Sequence, residues 1–139
     1  PDVEAAAWAN PAHRHTVHHL GERSDVPALL AASDLVLHPS VKEGMPLVMA
    51  EALSAQVPVV AADAIGLRWL GEAETADLAP LEAETWGRAV TRRLSEGPDR
   101  TALAASAAKA QARFAPVRGV GQYVEAYETA LRRPAPTRH

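Results

Sequence analysis

The chain has 139 residues, a net charge of −3, no cysteine, and a composition that is 47% apolar but only 4% aromatic, so it is read as one domain large enough to bury a core. The acidic balance argues against a general nucleic-acid binder, and the lack of cysteine removes disulfides, thiolate chemistry and Cys-type zinc sites while suiting a reducing, cytoplasmic compartment. No apolar run approaches the ~20 residues of a membrane span, and no charged-then-apolar leader stands at the start, so no secretion signal is expected.

Pro1-Asp2-Val3-Glu4 reads as a helix start with Val3, Ala7 and Trp8 on one side, ended by Asn10-Pro11. Four histidines follow within seven residues, His13, His15, His18 and His19. Alternation along a strand expected at Thr16–Leu20 would put His18 and His19 on opposite faces. No carboxylate or cysteine stands beside them at ligand spacing, so no metal site is expected. Ser24-Asp25 can cap the next helix, with Pro27 in its first turn, and Val26, Leu29, Leu30 and Ser33 give it a face. Leu35-Val36-Leu37-His38 is a compact apolar run, read as a buried parallel strand. His38 at its end is either a functional group or, on the plainer reading, the polar tip of a core strand.

The centre of the chain is Glu43-Gly44-Met45-Pro46-Leu47-Val48-Met49-Ala50-Glu51. Pro46 fits the first helical position, where its missing N–H costs nothing. Leu47 to Leu53 is apolar except at Glu51, which predicts a helix buried between other elements and a carboxylate that needs a partner. A plain reading pairs Glu51 with neighbouring backbone. The alternative is a ligand, because the free N–H groups of Leu47 and Val48 and the positive end of the helix dipole make an anion seat just ahead of it.

Val57-Pro58-Val59-Val60-Ala61 reads as a second inner strand, with Ala62–Gly66 as the loop at its carboxyl end. Asp77-Leu78-Ala79-Pro80 reads as a degenerate last strand. Glu84–Leu94 is an amphipathic helix with Trp86, Ala89, Val90 and Leu94 inward. Gly97-Pro98-Asp99 resets the chain, an alanine-rich helix runs to about Arg113, and a last helix near Gly121–Arg132 carries Tyr123, Tyr127 and Leu131 on one face. The Pro-Ala-Pro tail at residues 134–139 is expected to fray. Strand, helix, strand, helix in this order predicts an α/β fold with a doubly wound parallel, Rossmann-like sheet. Ligands of such sheets sit at the carboxyl ends of the strands, where the Glu43 loop falls.

Glu43 and Glu51, with seven residues between them inside Pro39-Ser40-x-x-Glu43-Gly44-x-Pro46-Leu47-x-x-x-Glu51-Ala52, resemble the E-x7-E signature of the family-4 (group 1) retaining glycosyltransferases. The resemblance implies the C-terminal, donor-binding half of a GT-B fold, with residues 1–133 as a nucleotide-sugar domain lacking its first strands. It implies a nucleotide-diphosphate sugar as substrate, no cofactor and no metal, in keeping with the absence of an Asp-x-Asp pair. On this reading the donor lies across Gly44, Met45, Pro46, Leu47 and Val48, Glu51 accepts the ribose hydroxyls, and Glu43 faces the donor sugar as the catalytic carboxylate. A side chain at Gly44 would collide with a ligand lying close to the backbone. Gly21, Glu22 and Arg23, after the strand ending in Leu20-Gly21, would lie near the base. The implied partners are an acceptor of unknown nature and an N-terminal acceptor-binding domain of the same enzyme, through which any peripheral membrane contact would come.

The sequence departs from this pattern at Ile65-Gly66-Leu67-Arg68-Trp69, where relatives commonly carry two glycines and then Pro-Glu. Two other readings stay open: a sugar-nucleotide epimerase on the same fold, and a non-catalytic binding module.

Overall fold

The computed structural model describes residues 16–97 and 99–132. The first helix expected from the sequence, His13 and His15, and the tail lie outside the described residues. Within them, helix α1 (Val26–Ala31) leads to strand β1 (Val36–His38), helix α2 (Leu47–Ser54), strand β2 (Val59–Ala62), a 3₁₀ helix (Ile65–Glu72) and strand β3 (Ala76–Ala79). Helices α3 (Ala83–Glu96), α4 (Arg100–Arg113) and α5 (Pro116–Arg132) follow. The sheet is parallel in the order β1-β2-β3, with Val36 opposite Val59 and Val59 opposite Ala76. Parallel neighbours need a crossover connection, usually a helix; α2 makes one, and the 3₁₀ helix makes the other.

The sheet's inner strand is β2, whose four residues are all buried, as a continuous apolar run predicts. Helix α2 buries Met49, Ala50, Ala52 and Leu53, and the core continues through Val59, Ala61, Leu67, Leu70 and Ala110. Side chains such as Met49 and Leu53, each 1% exposed, contribute on the order of 1.5–3 kcal/mol apiece. Helix α4 presents Leu103, Ser106, Ala107 and Ala110 inward. These mostly small residues let it lie close to α2. Its start is fixed by Asp99, whose carboxylate accepts the N–H groups of Thr101 and Ala102 at 2.9 and 3.1 Å.

Several expectations are corrected. Thr16–Leu20 is a turn residue followed by irregular backbone rather than a strand; among the described residues the sheet consists of β1, β2 and β3, and an extended run needs a neighbouring ladder. β1 is less buried than a core strand: among the described residues it pairs on one side only, with β2, and Leu37 is 49% exposed. Asp25 stands at the N-cap of α1 but makes no side-chain cap; its carboxylate is taken by Arg23. Pro46 is the N-cap of α2 rather than its first residue. Leu94 is exposed, and the inward place on α3 goes to Arg93, which donates to Asp77 from Nε at 2.6 Å and from Nη2 at 3.0 Å. Helix α5 starts five residues earlier than Gly121 and runs through both glycines. Its Tyr123, Tyr127 and Leu131 are exposed.

Candidate functional site

β1 and β2 end side by side, and the two loops that leave their carboxyl ends meet. The loop after β1 carries Glu43. Its carboxylate Oε1 lies 3.1 Å from His38 Nε2, at the last position of β1. Both side chains are largely shielded, 18% exposed for His38 and 25% for Glu43. The Ser40 hydroxyl leans on the same carboxylate and holds its pKa below the ordinary value; partial desolvation opposes this, and His38 adds to it. Glu43 is therefore an ionised, oriented carboxylate at the mouth of the sheet. His38 meets this carboxylate instead of serving only as the polar tip of a strand.

The loop after β2 supplies the floor. Gly66 is pressed so closely against the first loop that a Cβ there would overlap the Glu43 carbonyl oxygen and lie 2.6 Å from both the Glu43 carbonyl carbon and the Gly44 oxygen. Gly44 itself has open space where a Cβ would stand. The steric demand for glycine made by the described residues falls on Gly66 and not on Gly44.

Helix α2 begins at this loop with no side-chain cap. The N–H groups of Leu47 and Val48 belong to its first turn, where an α-helix has no intrahelical acceptors to offer. Val48 is half-buried against the core, whereas Met45 and Leu47 are 62% and 55% exposed. Glu51 follows Leu47 by one turn on the same face and is also exposed. This corrects the expectation of a buried carboxylate: α2 buries the opposite face, and Glu51 makes no hydrogen bond or ion pair among the described residues. The predicted intramolecular partner does not exist there, so the carboxylate faces outward on the same side as the open helix start. An open groove of about 670 Å³ adjoins the loop, lined by Met45 and Leu47 on one side and by Arg118, Gln122 and Tyr123 of α5 on the other.

The remaining candidate residues stand apart. Gly21 takes a left-handed backbone, φ 65°, and Arg23 grips Asp25 at 2.7 and 2.6 Å. Glu22 is exposed. No hydrogen bond or ion pair joins these three to the Glu43–Glu51 stretch among the described residues. The departure at residues 65–69 has a structural use. Trp69 meets Phe114 edge-on, ring centroids 5.0 Å apart, with Arg113 over its face at 5.7 Å. Arg68 reaches Asp63 at 3.2 Å. Sequence reasoning missed Ser40 and Gly66 as parts of the site. Gly66 lies in the stretch that departs from the family pattern, but its closeness to the Glu43 loop arises only in the fold.

A family model described as glycosyl transferases group 1 matches residues 1–96. The chain belongs to the group 1 glycosyltransferases. It is similar to the lipopolysaccharide glucosyltransferase WaaG of Escherichia coli K12, 33% identical over 97 residues, a match covering 68% of this chain and 26% of WaaG. Among solved structures it is similar to Anabaena Alr3699/HepE in complex with UDP, with a TM-score of 0.76 and 31% identity over 85% of this chain and 34% of HepE. The HepE structure with UDP and glucose matches with a TM-score of 0.73 at 30% identity, again over 85% of this chain and 33% of that one. This glycosyltransferase chain thus spans between a quarter and a third of the relatives it matches. Its α/β fold, with a parallel sheet, is shared with HepE over that span. No helix among the described residues is long and apolar enough to cross a membrane.

Proposed function

We propose that this chain is the donor-binding part of a retaining glycosyltransferase that moves a sugar from a nucleotide-diphosphate sugar to an acceptor. The carrying observation is the conjunction at one sheet end of a shielded, ionised Glu43, an uncapped helix start at Leu47 and Val48, and an exposed Glu51 without a hydrogen-bond or ion-pair partner among the described residues. The diphosphate would sit on the Leu47 and Val48 N–H groups, which favour anions together with the helix dipole. Glu51 would accept the ribose hydroxyls in charge-assisted hydrogen bonds, and the open space at Gly44 would admit the ligand. Gly21, Glu22 and Arg23 would lie near the base, once the Arg23–Asp25 pair makes way or presents its outer face.

In the transfer, the bond between the anomeric carbon and the diphosphate oxygen breaks, and the diphosphate leaves with the electron pair. The acceptor oxygen bonds to the same face of that carbon and its proton passes to the leaving phosphate. Glu43 would hold sugar hydroxyls or stabilise positive charge at the anomeric carbon, most strongly in the transition state, without acting as an obligatory nucleophile. Charge on the leaving group would rest on the helix start rather than on a metal ion. HepE, similar in fold over this span, is seen in complex with UDP and with UDP and glucose, which supports a nucleotide sugar as the ligand class. An N-terminal domain of the same enzyme would bind the acceptor, and the cysteine-free composition suits a cytoplasmic enzyme.

Proton NMR of the full-length protein with UDP-glucose tests this. The expected result is release of UDP with glucose first appearing in the anomeric configuration of the donor, on water or on an added acceptor. An epimerised sugar would favour the epimerase reading. Tight UDP binding without turnover would favour a non-catalytic module.

A further inference from the structure

The Glu43 loop is held at two points from two different strands. Its side chain is held by His38 at the end of β1, and its main chain rests on Gly66 at the start of the 3₁₀ helix that follows β2. The second contact is of an unusual kind. Both atoms that a Cβ on Gly66 would meet at 2.6 Å are backbone atoms of Glu43 and Gly44, so no side chain can swing aside to accommodate a methyl group. Gly66 has no positive φ, and its glycine identity follows from this packing alone. The next residues of the 3₁₀ helix, Leu67 and Leu70, are fully buried, which leaves the helix little freedom to retreat. The loop must yield instead, and it carries the carboxylate.

From this we infer that Gly66 is a positioning residue for Glu43: it sets the height of the Glu43–Gly44 peptide above the sheet and, through it, the place of the carboxylate relative to His38 and to a bound sugar. The inference rests on the donor-site reading above, but the packing is independent of it. A methyl group at Gly66 would displace the peptide by about 1 Å, and a misplacement of that size at a reacting centre costs on the order of 100-fold in rate. Helix α2 is anchored separately through Met49 and Leu53 in the core, so the diphosphate seat at Leu47 and Val48 should stay in place.

The test compares Gly66→Ala with Gly71→Ala in the full-length enzyme. Gly71 lies in the same 3₁₀ helix, but a Cβ there would meet only Leu78 Cδ1, at an ordinary 3.9 Å. Turnover of UDP-glucose, UDP affinity, and amide hydrogen exchange of residues 43–47 are measured for both. Expected for Gly66→Ala are a loss of about 100-fold in kcat, UDP affinity changed by less than about tenfold, and faster exchange confined to the Glu43 loop. Gly71→Ala should match the wild type in all three. Equal kcat and exchange in the two variants would overturn the inference. So would failure of Gly66→Ala to fold, because the strain would then not be confined to the loop. If the wild type turned over no donor, the functional proposal would fail, while the exchange contrast would still decide whether Gly66 positions the loop.

Discussion

Replacing Glu51 by alanine separates a binding role from a structural one, because the side chain makes no hydrogen bond or ion pair among the described residues and stands exposed on α2. Its removal creates no cavity and strands no buried donor. Surface changes of that kind usually stay within about 0.5 kcal/mol of neutral, and alanine's high helix propensity leaves α2 intact. The melting transition of the full-length protein should therefore barely move. Binding should change sharply if the ribose hydroxyls donate to this carboxylate. Loss of a hydrogen bond to a charged group costs roughly 1–3 kcal/mol, which raises Kd about 5- to 150-fold. Calorimetric titration with UDP, wild type against Glu51→Ala, reads the second number, and a thermal melt of the same samples reads the first. Unchanged UDP affinity with an unchanged melt would remove Glu51 from the site. A large fall in stability would mean that the side chain has a structural partner, contrary to its exposed position.

Other consequences can be measured. Glu43→Gln should depress kcat far more than it weakens UDP binding, since its role is strongest in the transition state; a collapse in affinity with kcat preserved would reverse the assignment. Because Ser40 first, and His38 after it, hold Glu43 below the ordinary carboxylate range against partial desolvation, a function that needs it ionised should persist in mild acid. It should be lost only as pH falls through that lowered value, and Ser40→Ala should move the acid limb of the pH–rate profile upward. Asp77 is pushed up by burial but held below its usual pKa overall by Arg93 and then Arg92, so the stability it contributes is present above the unfolded value near 4 and disappears on further acidification. Asp77→Ala should cost about 1–3 kcal/mol in a urea melt at neutral pH, less than for a fully buried pair because water reaches Arg92; a variant as stable as wild type would make the pair ornamental. Residues 1–139 expressed alone should be insoluble or partly molten, since among the described residues the outer edge of β1 is unpaired and Tyr123, Tyr127 and Leu131 are exposed; sharp, dispersed amide resonances from a monomeric sample would refute this.

The parts of the fold that follow from local chemistry were legible in the sequence. The β-branched run at residues 57–61 is the inner strand, shifted by one or two positions. The apolar stretch after Pro46 is the helix, and the alanine-rich stretch ends at Arg113 as expected. Long-range geometry was not legible. Helical amphipathicity placed Leu94 inward because a leucine outranks an arginine on any apolar face, but Asp77 on the neighbouring strand reverses that order by offering Arg93 a bidentate partner. The run at Thr16–Leu20 has the composition of a strand, but no strand pairs with it among the described residues. At the site, the Glu43 loop and the helix start could be read from residue order, whereas the exposure of Glu51 depends on which faces of α2 other elements cover. The role of Trp69 depends likewise on Phe114 and Arg113, which only the fold brings beside it.

The most direct measurement is a crystal structure of the full-length protein with UDP. The diphosphate oxygens should accept the Leu47 and Val48 N–H groups, the ribose hydroxyls should lie within hydrogen-bond distance of Glu51, and Glu43 should keep its contact with His38 beside the space vacated by the sugar. UDP seated elsewhere, for example in the groove between Met45 and Arg118 with Glu51 untouched, would contradict the donor site described here.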